Sequence, residues 1–198
     1  MDRETTVDTP ARGLHHSGDT MTEPEFHPDV RIGHVHLRVA DLARATDFYR
    51  DVLGFDVTGY GPDLGLPGVA FLSSRGYHHH VGLNTWKSEG GTPPPDGHTG
   101  LYHFALLYTG RRELGRAVQQ VLDRGYPIDS TEDHGATVSV YLRDPDGNGI
   151  ELYYDRPRSE WLDAQGKPVL KAAAFDPAEL LSDQDDPELP SAGAADGR

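Results

Sequence analysis

The sequence predicts an α+β fold of two βαβββ modules, and three observations carry that prediction: a strand–helix–strand pattern that occurs twice, an equal spacing inside the two occurrences, and charge gathered at the ends. "RIGHVHLRV" (31–39) alternates apolar residues with His or Arg, the period of a half-buried strand. "DLARATDFYRDVLGF" follows with an Asp start, with Leu42, Ala45, Phe48, Tyr49, Val52 and Leu53 at helical spacing, and with Gly54 as the stop. Apolar runs at about 55–59, 68–74 and 79–86 complete the first βαβββ.

The second copy opens with "GLYHFALLY" (100–108), continues with the amphipathic "RRELGRAVQQVLDRGY", which ends at Gly125, and closes with runs at 127–130, 137–143 and 149–155. "HVHL" at 34–37 matches "HFAL" at 103–106, and both His34 to Gly82 and His103 to Glu151 span 48 residues. One such copy is too small to bury its own sheet face, so the two are expected to pair their sheets into one open, barrel-like domain around a shared cleft. Module 1 covers about 30–87 and module 2 about 100–156. The linker "KSEGGTPPPDGHTG" (87–100) is turn-rich and without period.

Of the net charge of −14, residues 1–30 hold seven acids against two bases and residues 159–198 hold nine against three. The expectation is a disordered acidic arm over 1–28, a folded domain over 30–158, and a largely disordered extension over 159–198 in which "DPAELLSDQ" forms one short helix. With no membrane-length apolar run and no signal-peptide order of basic then apolar residues, the expected location is cytoplasmic. The chain has no cysteine, which excludes disulfides, thiolate metal sites and cysteine nucleophiles. An acidic chain without a basic stripe is not expected to bind nucleic acid. Exposed sheet edges on a small domain suggest a homodimer or higher homo-oligomer.

Pseudo-symmetry makes equivalent positions face one another: His34 with His103, and Gly82 with Glu151. Two imidazoles and one carboxylate, with glycine at the fourth position, form a 2-His-1-carboxylate set with open positions, suited to Fe(II), with Mn(II) as the alternative. His36 shares a strand face with His34 and rivals it as first ligand, but its counterpart in the second copy is Ala105. A lone strand histidine is more often structural than a ligand, so it is the combination that carries weight. The run His78, His79, His80 cannot converge on one ion from an extended backbone, because successive side chains alternate in direction.

"GHVHLRVADL", "FYRDVLGF", "GLYHFALL" and "YLRDPDGNGIELYYDRP" resemble the vicinal oxygen chelate superfamily of glyoxalases, bleomycin-resistance proteins and extradiol dioxygenases. The resemblance is nearest to single-domain proteins of the catechol-2,3-dioxygenase kind. It implies an Fe(II)-dependent extradiol dioxygenase acting on a small aromatic diol and O₂, with His34, His103 and Glu151 on the metal. It also implies His79 as acid/base, with His80 in its place if the strand shifts by one, and His134 and Tyr141 as polar groups at the substrate oxygens. Gly82 stands where glyoxalase I usually has a carboxylate ligand. Two other classes share the fold: metal-dependent lyases, isomerases or thiol transferases, and non-catalytic binding proteins with a vestigial metal set. Asn148 and Gly149 read as turn formers.

Overall fold

Alternating apolar residues build two separate four-stranded sheets in the computed structural model, which describes His27 and residues 29–182. In the first, strands β1 (Val35–Arg38), β2 (Asp56–Tyr60), β3 (Val69–Ser73) and β4 (Val81–Asn84) lie in the order β1-β4-β3-β2. In the second, β5 (His103–Tyr108), β6 (Ser130–Asp133), β7 (Thr137–Arg143) and β8 (Gly149–Asp155) lie in the order β5-β8-β7-β6. The expected βαβββ duplication is present, and the two sheets do not close into a barrel. The repeat holds to the residue: His36 pairs with Gly82 in the parallel β1–β4 ladder, as Ala105 pairs with Glu151 in β5–β8.

The helices cover one face of each sheet. Helix α1 (Leu42–Asp47) starts where the Asp41 side chain accepts the Arg44 N–H at 3.0 Å, runs on as a wider turn over Phe48–Val52, and stops at Gly54 with φ 79°. Helix α2 (Arg111–Asp123) likewise ends ahead of Gly125, φ 65°. Leu37, Leu72 and Leu83 of the first sheet and Val140, Ile150 and Leu152 of the second join α1 and α2 residues in a single apolar core.

The modules are locked together on that helical side. Tyr49 donates its phenolic hydrogen to the buried Asp144 carboxylate at 3.0 Å, Gln120 Nε2 donates to Val52 O at 3.0 Å, and Phe48 packs on Tyr126 with ring centroids 4.7 Å apart. The "DPDGNG" turn is organised around Asp144, whose Oδ1 accepts the N–H groups of Asp146 and Asn148, each at 2.9 Å. Asp146 in turn accepts Ala40 N–H at 2.9 Å and Arg44 at 2.7 Å, so the turn that starts β8 is tied to the end of β1.

Residues 158–182 fold back on module 2. They include α3 (Arg158–Trp161) and α4 (Ala178–Leu181), the helix expected from "DPAELLSDQ", which buries Leu180 completely against α2. A bridge from Ala173 to Asp133 extends the β6 edge. The arm expected over 1–28 lies, His27 apart, outside the described residues, as do residues 183–198 of the extension. No helix among the described residues is long and apolar enough to cross a membrane.

Candidate functional site

Strand alternation decides which side chains leave the core. On β1 and β4, Leu37, Val81 and Leu83 point inward, so His36, Arg38 and Gly82 lie on the opposite, open face. On β5, β7 and β8, Leu106, Val140, Leu142, Ile150 and Leu152 are inward. His103, Tyr141 and Glu151 therefore share the open face of the second sheet.

There they form a connected line. His103 Nε2 stands 3.1 Å from Glu151 Oε2, Tyr141 donates to Glu151 Oε1 at 3.0 Å, and His134 Nε2 meets the Tyr141 hydroxyl at 2.9 Å. Since the one phenolic hydrogen goes to Glu151, the His134 nitrogen must be the donor in the last bond. Burial, together with the adjacent Glu151 carboxylate and against a hydrogen bond with Ser139, pushes the Tyr141 phenol up to about 12, so it stays a neutral donor. Glu132 Oε2, 3.5 Å from His134 Nε2, closes the end of the line. A shallow cavity of about 260 Å³ opens beside His103, Glu132, Tyr141 and Gly149.

Backbone sterics fix this arrangement. A side chain at Gly149 would run into the Tyr102 carbonyl and come within 3.0 Å of the His103 Cβ. Glycine here is what lets β5 and β8 approach closely enough to place His103 beside Glu151, a role beyond turn formation.

The histidine run belongs to the other sheet. His34 packs its ring on His79 at 4.7 Å, and His79 also touches Phe71 at 4.9 Å and sets its Nδ1 2.8 Å from His78 Nδ1. Burial first, then the neighbouring imidazoles of His78, His34, His36 and His80, hold His79 below the usual histidine range, so its neutral form is favoured. His80 is turned to Ser73, with Nδ1 3.0 Å from the hydroxyl, and packs on Tyr77. The place of a side chain at Gly82 is filled by His36, whose Nδ1 lies 2.9 Å from where a Cβ would be.

The residues singled out from sequence thus fall into two groups, His34, His79 and His80 with module 1 and His103, His134, Tyr141 and Glu151 with module 2. Among the described residues no three His, Cys, Asp or Glu side chains stand together in a position to hold a metal. The His103–Glu151 pair fits a metal as far as two donors can: ligand atoms at right angles on an ion at ~2.1 Å are ~3.0 Å apart, against 3.1 Å here. Glu132 is not visible from sequence as a site residue, because an apolar run at 127–130 places the sixth strand too early and leaves it in a loop. With β6 at Ser130–Asp133 it faces Ser139 across the ladder.

The family model described as Glyoxalase/Bleomycin resistance protein/Dioxygenase superfamily matches residues 31–152. A catechol-2,3-dioxygenase of Bacillus subtilis is 37% identical over 165 residues, which are 81% of this chain and 54% of that protein. A biphenyl-2,3-diol 1,2-dioxygenase of Rhodococcus globerulus is 35% identical over 126 residues, 63% of each chain. The matches therefore span roughly half to two-thirds of these relatives. Among solved structures, a glyoxalase/dioxygenase from Nostoc punctiforme superposes with a TM-score of 0.55 at 22% identity, over 69% of this chain and 99% of that one, a likeness of fold.

Proposed function

Because the chain belongs to the glyoxalase/bleomycin resistance protein/dioxygenase superfamily, we propose that it is an extradiol dioxygenase that uses Fe(II) to open the ring of a small aromatic diol with both atoms of O₂. The observation that carries this is the His103–Glu151–Tyr141–His134 line, in which a carboxylate has one oxygen fixed by a phenol and the other turned to an imidazole. His103 and Glu151 would hold the metal, with His34 as third donor. Mn(II) would suit the same donors. When bound, the metal would supply Lewis-acid activation of the diol and redox chemistry with O₂.

The rest is the work of this chain's side chains. Tyr141, held neutral, fixes Glu151 Oε1 and so aims Oε2 at the metal position, and His134 steadies the phenol from behind. His79, kept neutral by burial and by the imidazoles around it, is free to accept a proton from the diol and return it as the ring opens. The dioxygenase relatives support the diol class of substrate. The lyase alternative is less favoured, because the Gly82 position offers no carboxylate and His36 fills the space above it.

The test is to load the protein with Fe(II) without air, add a panel of catechols and biphenyl diols, and admit O₂. Uptake of one O₂ per diol with a yellow ring-opened product is the expected result. No uptake with any diol would refute the assignment.

A further inference from the structure

We propose that Lys171, in the segment that follows the last strand, is a positioning residue: with Asp133 it holds the turn of residues 133–136 so that the His134 ring stays on the Tyr141 hydroxyl. This rests on the reading that His134 and Tyr141 serve the diol site, and it gives a role to a stretch beyond residue 152, where the family match ends.

The connection from β6 to β7 is short. Asp133 closes one strand and Thr137 opens the next, so His134, Gly135 and Ala136 make the whole turn. His134 N–H donates to Thr137 O at 2.9 Å, and Gly135, at φ 83°, donates its N–H to Asp133 Oδ1 at 2.8 Å. A turn at the end of a sheet is ordinarily among the more mobile parts of a fold. The polar contacts of the His134 ring, among the described residues, are the 2.9 Å bond to Tyr141 and the 3.5 Å approach to Glu132. Both meet the same nitrogen, Nε2, so the direction of the ring depends on where the backbone of the turn is held.

The C-terminal segment does the holding. Lys171 N–H donates to His134 O at 3.1 Å, Asp133 N–H to Ala173 O at 2.8 Å and Ala173 N–H to Asp133 O at 3.2 Å, so residues 171–173 run antiparallel to the end of β6. At the same place Lys171 Nζ stands 2.8 Å from Asp133 Oδ2, which also takes Arg156 Nη2 at 2.8 Å from just after β8. Arg156 in turn donates its N–H to Ala136 O at 2.8 Å. Asp133 is thus bound by two cations through one oxygen while the other fixes the Gly135 N–H. The packing is close, since a side chain at Gly135 would come within 2.7 Å of Val169 O.

The segment can hold the turn because it is itself fixed on both sides of Lys171. Ahead of it, Val169 N–H donates to Trp161 O at 2.7 Å. Behind it, Phe175 N–H donates to the Thr131 hydroxyl at 3.3 Å, Arg111 donates to Glu179 O at 2.9 Å, and Leu180 is fully buried on α2. Lys171 therefore reaches Asp133 from an anchored backbone. Its side chain is 53% exposed, so the ion pair adds little to overall stability. What it supplies is placement: the residue it grips is the immediate neighbour of His134, and the carbonyl it bonds is that of His134 itself.

Two readouts test this. The first is the ring N–H of His134, followed by heteronuclear NMR in the full chain without added metal and identified by its loss in His134→Gln. The wild type should show a hydrogen-bonded Nε2 proton protected from water. Lys171→Met should lose that signal to exchange while its melting temperature stays within about 2 °C of the wild type, and Lys171→Arg should keep it. An unchanged signal in Lys171→Met, or none in the wild type, overturns the proposal. A loss shared with the other histidine rings marks a general loosening and overturns it too. The second readout is turnover. Lys171→Met should lower kcat for diol cleavage about 3–10-fold with KM little changed, and should cost nothing further in a His134→Ala background, because its effect runs through that ring. An equal further loss in that background shows a merely structural role. Should Lys171→Met fail to fold, Lys171→Gln takes its place. A wild type that cleaves no diol while the NMR result holds would leave the placement of His134 standing and remove the dioxygenase reading. Diol cleavage with a His134 signal that Lys171→Met does not move would do the reverse.

Discussion

Replacing Tyr141 by Phe removes one hydroxyl and tests how the carboxylate is aimed. The phenol donates to Glu151 Oε1 at 3.0 Å, and the other oxygen, Oε2, is the one turned to His103. Without that hydrogen bond the carboxylate can rotate about its last bond, and either oxygen can turn to His103 and the metal proposed there. Loss of a partner that orients a metal ligand typically costs about 10–100-fold in metal affinity or activity, or ~1.4–2.8 kcal/mol. The loss should lie toward the lower end, because Glu151 keeps its neighbour His103 and is only partly shielded, with 14% of its side chain exposed. The expected result is a fall of about 10–30-fold in metal affinity, measured by competition with a chelator, and of similar size in kcat/KM. His134→Gln, which can still donate to a phenol, should do much less. If Tyr141→Phe bound metal as tightly as the wild type while kcat/KM alone fell, the tyrosine would be acting on the substrate, and its role in orienting Glu151 would be refuted.

Tyr49→Phe leaves the buried Asp144 carboxylate without its partner from module 1; a hydrogen bond to a charged group is worth about 1.5–3 kcal/mol, and thermal melting should fall by roughly 5–10 °C. Gly149→Ala should cost about 1–3 kcal/mol by forcing β8 off the Tyr102 carbonyl, and should weaken metal binding by opening the His103–Glu151 gap, as a paired melt and chelator titration would show. Asp133 is pushed up by burial but held lower overall by Lys171, the Gly135 N–H and Arg156. Its contribution is therefore fully present above the ordinary aspartate value of about 3.9 and lost as pH falls through the lowered one. In a Trp86→Phe background the fluorescence of Trp161 should report the C-terminal segment loosening below about pH 4, and Asp133→Asn should show the loosened signal already at neutral pH.

What the sequence discloses follows from period and symmetry. Alternation in "HVHL" and "HFAL", helical spacing from Leu42 to Leu53 and the equal 48-residue spans yield the strand pattern, the module limits and the equivalence of Gly82 with Glu151, which the ladders His36–Gly82 and Ala105–Glu151 reproduce. Tyr141 and His134, which the resemblance picks out, are joined to Glu151 in the structure. Less legible is how the modules dock. Pseudo-symmetry within the chain suggests a cleft between the modules, but the contacts that join them, Tyr49 to Asp144 and Gln120 to Val52, lie 95 and 68 residues apart and leave no periodic trace. Glu132 escapes for a smaller reason: its strand begins three residues later than the apolar run suggests.

The duplicated fold also explains why one sheet holds a carboxylate and the other an imidazole at the matching place. In β5–β8, Ala105 is small, so the neighbouring Glu151 extends freely over the open face and reaches His103. In β1–β4 the partner is His36, whose ring lies over Gly82, and a longer residue there would collide with it at 2.9 Å. Large beside small on one strand pair and small beside large on the other keeps both faces filled, yet it places all the carboxylate character on the second. That asymmetry divides the histidine-rich face of the first sheet from the face of the second on which His103 and Glu151 stand 3.1 Å apart.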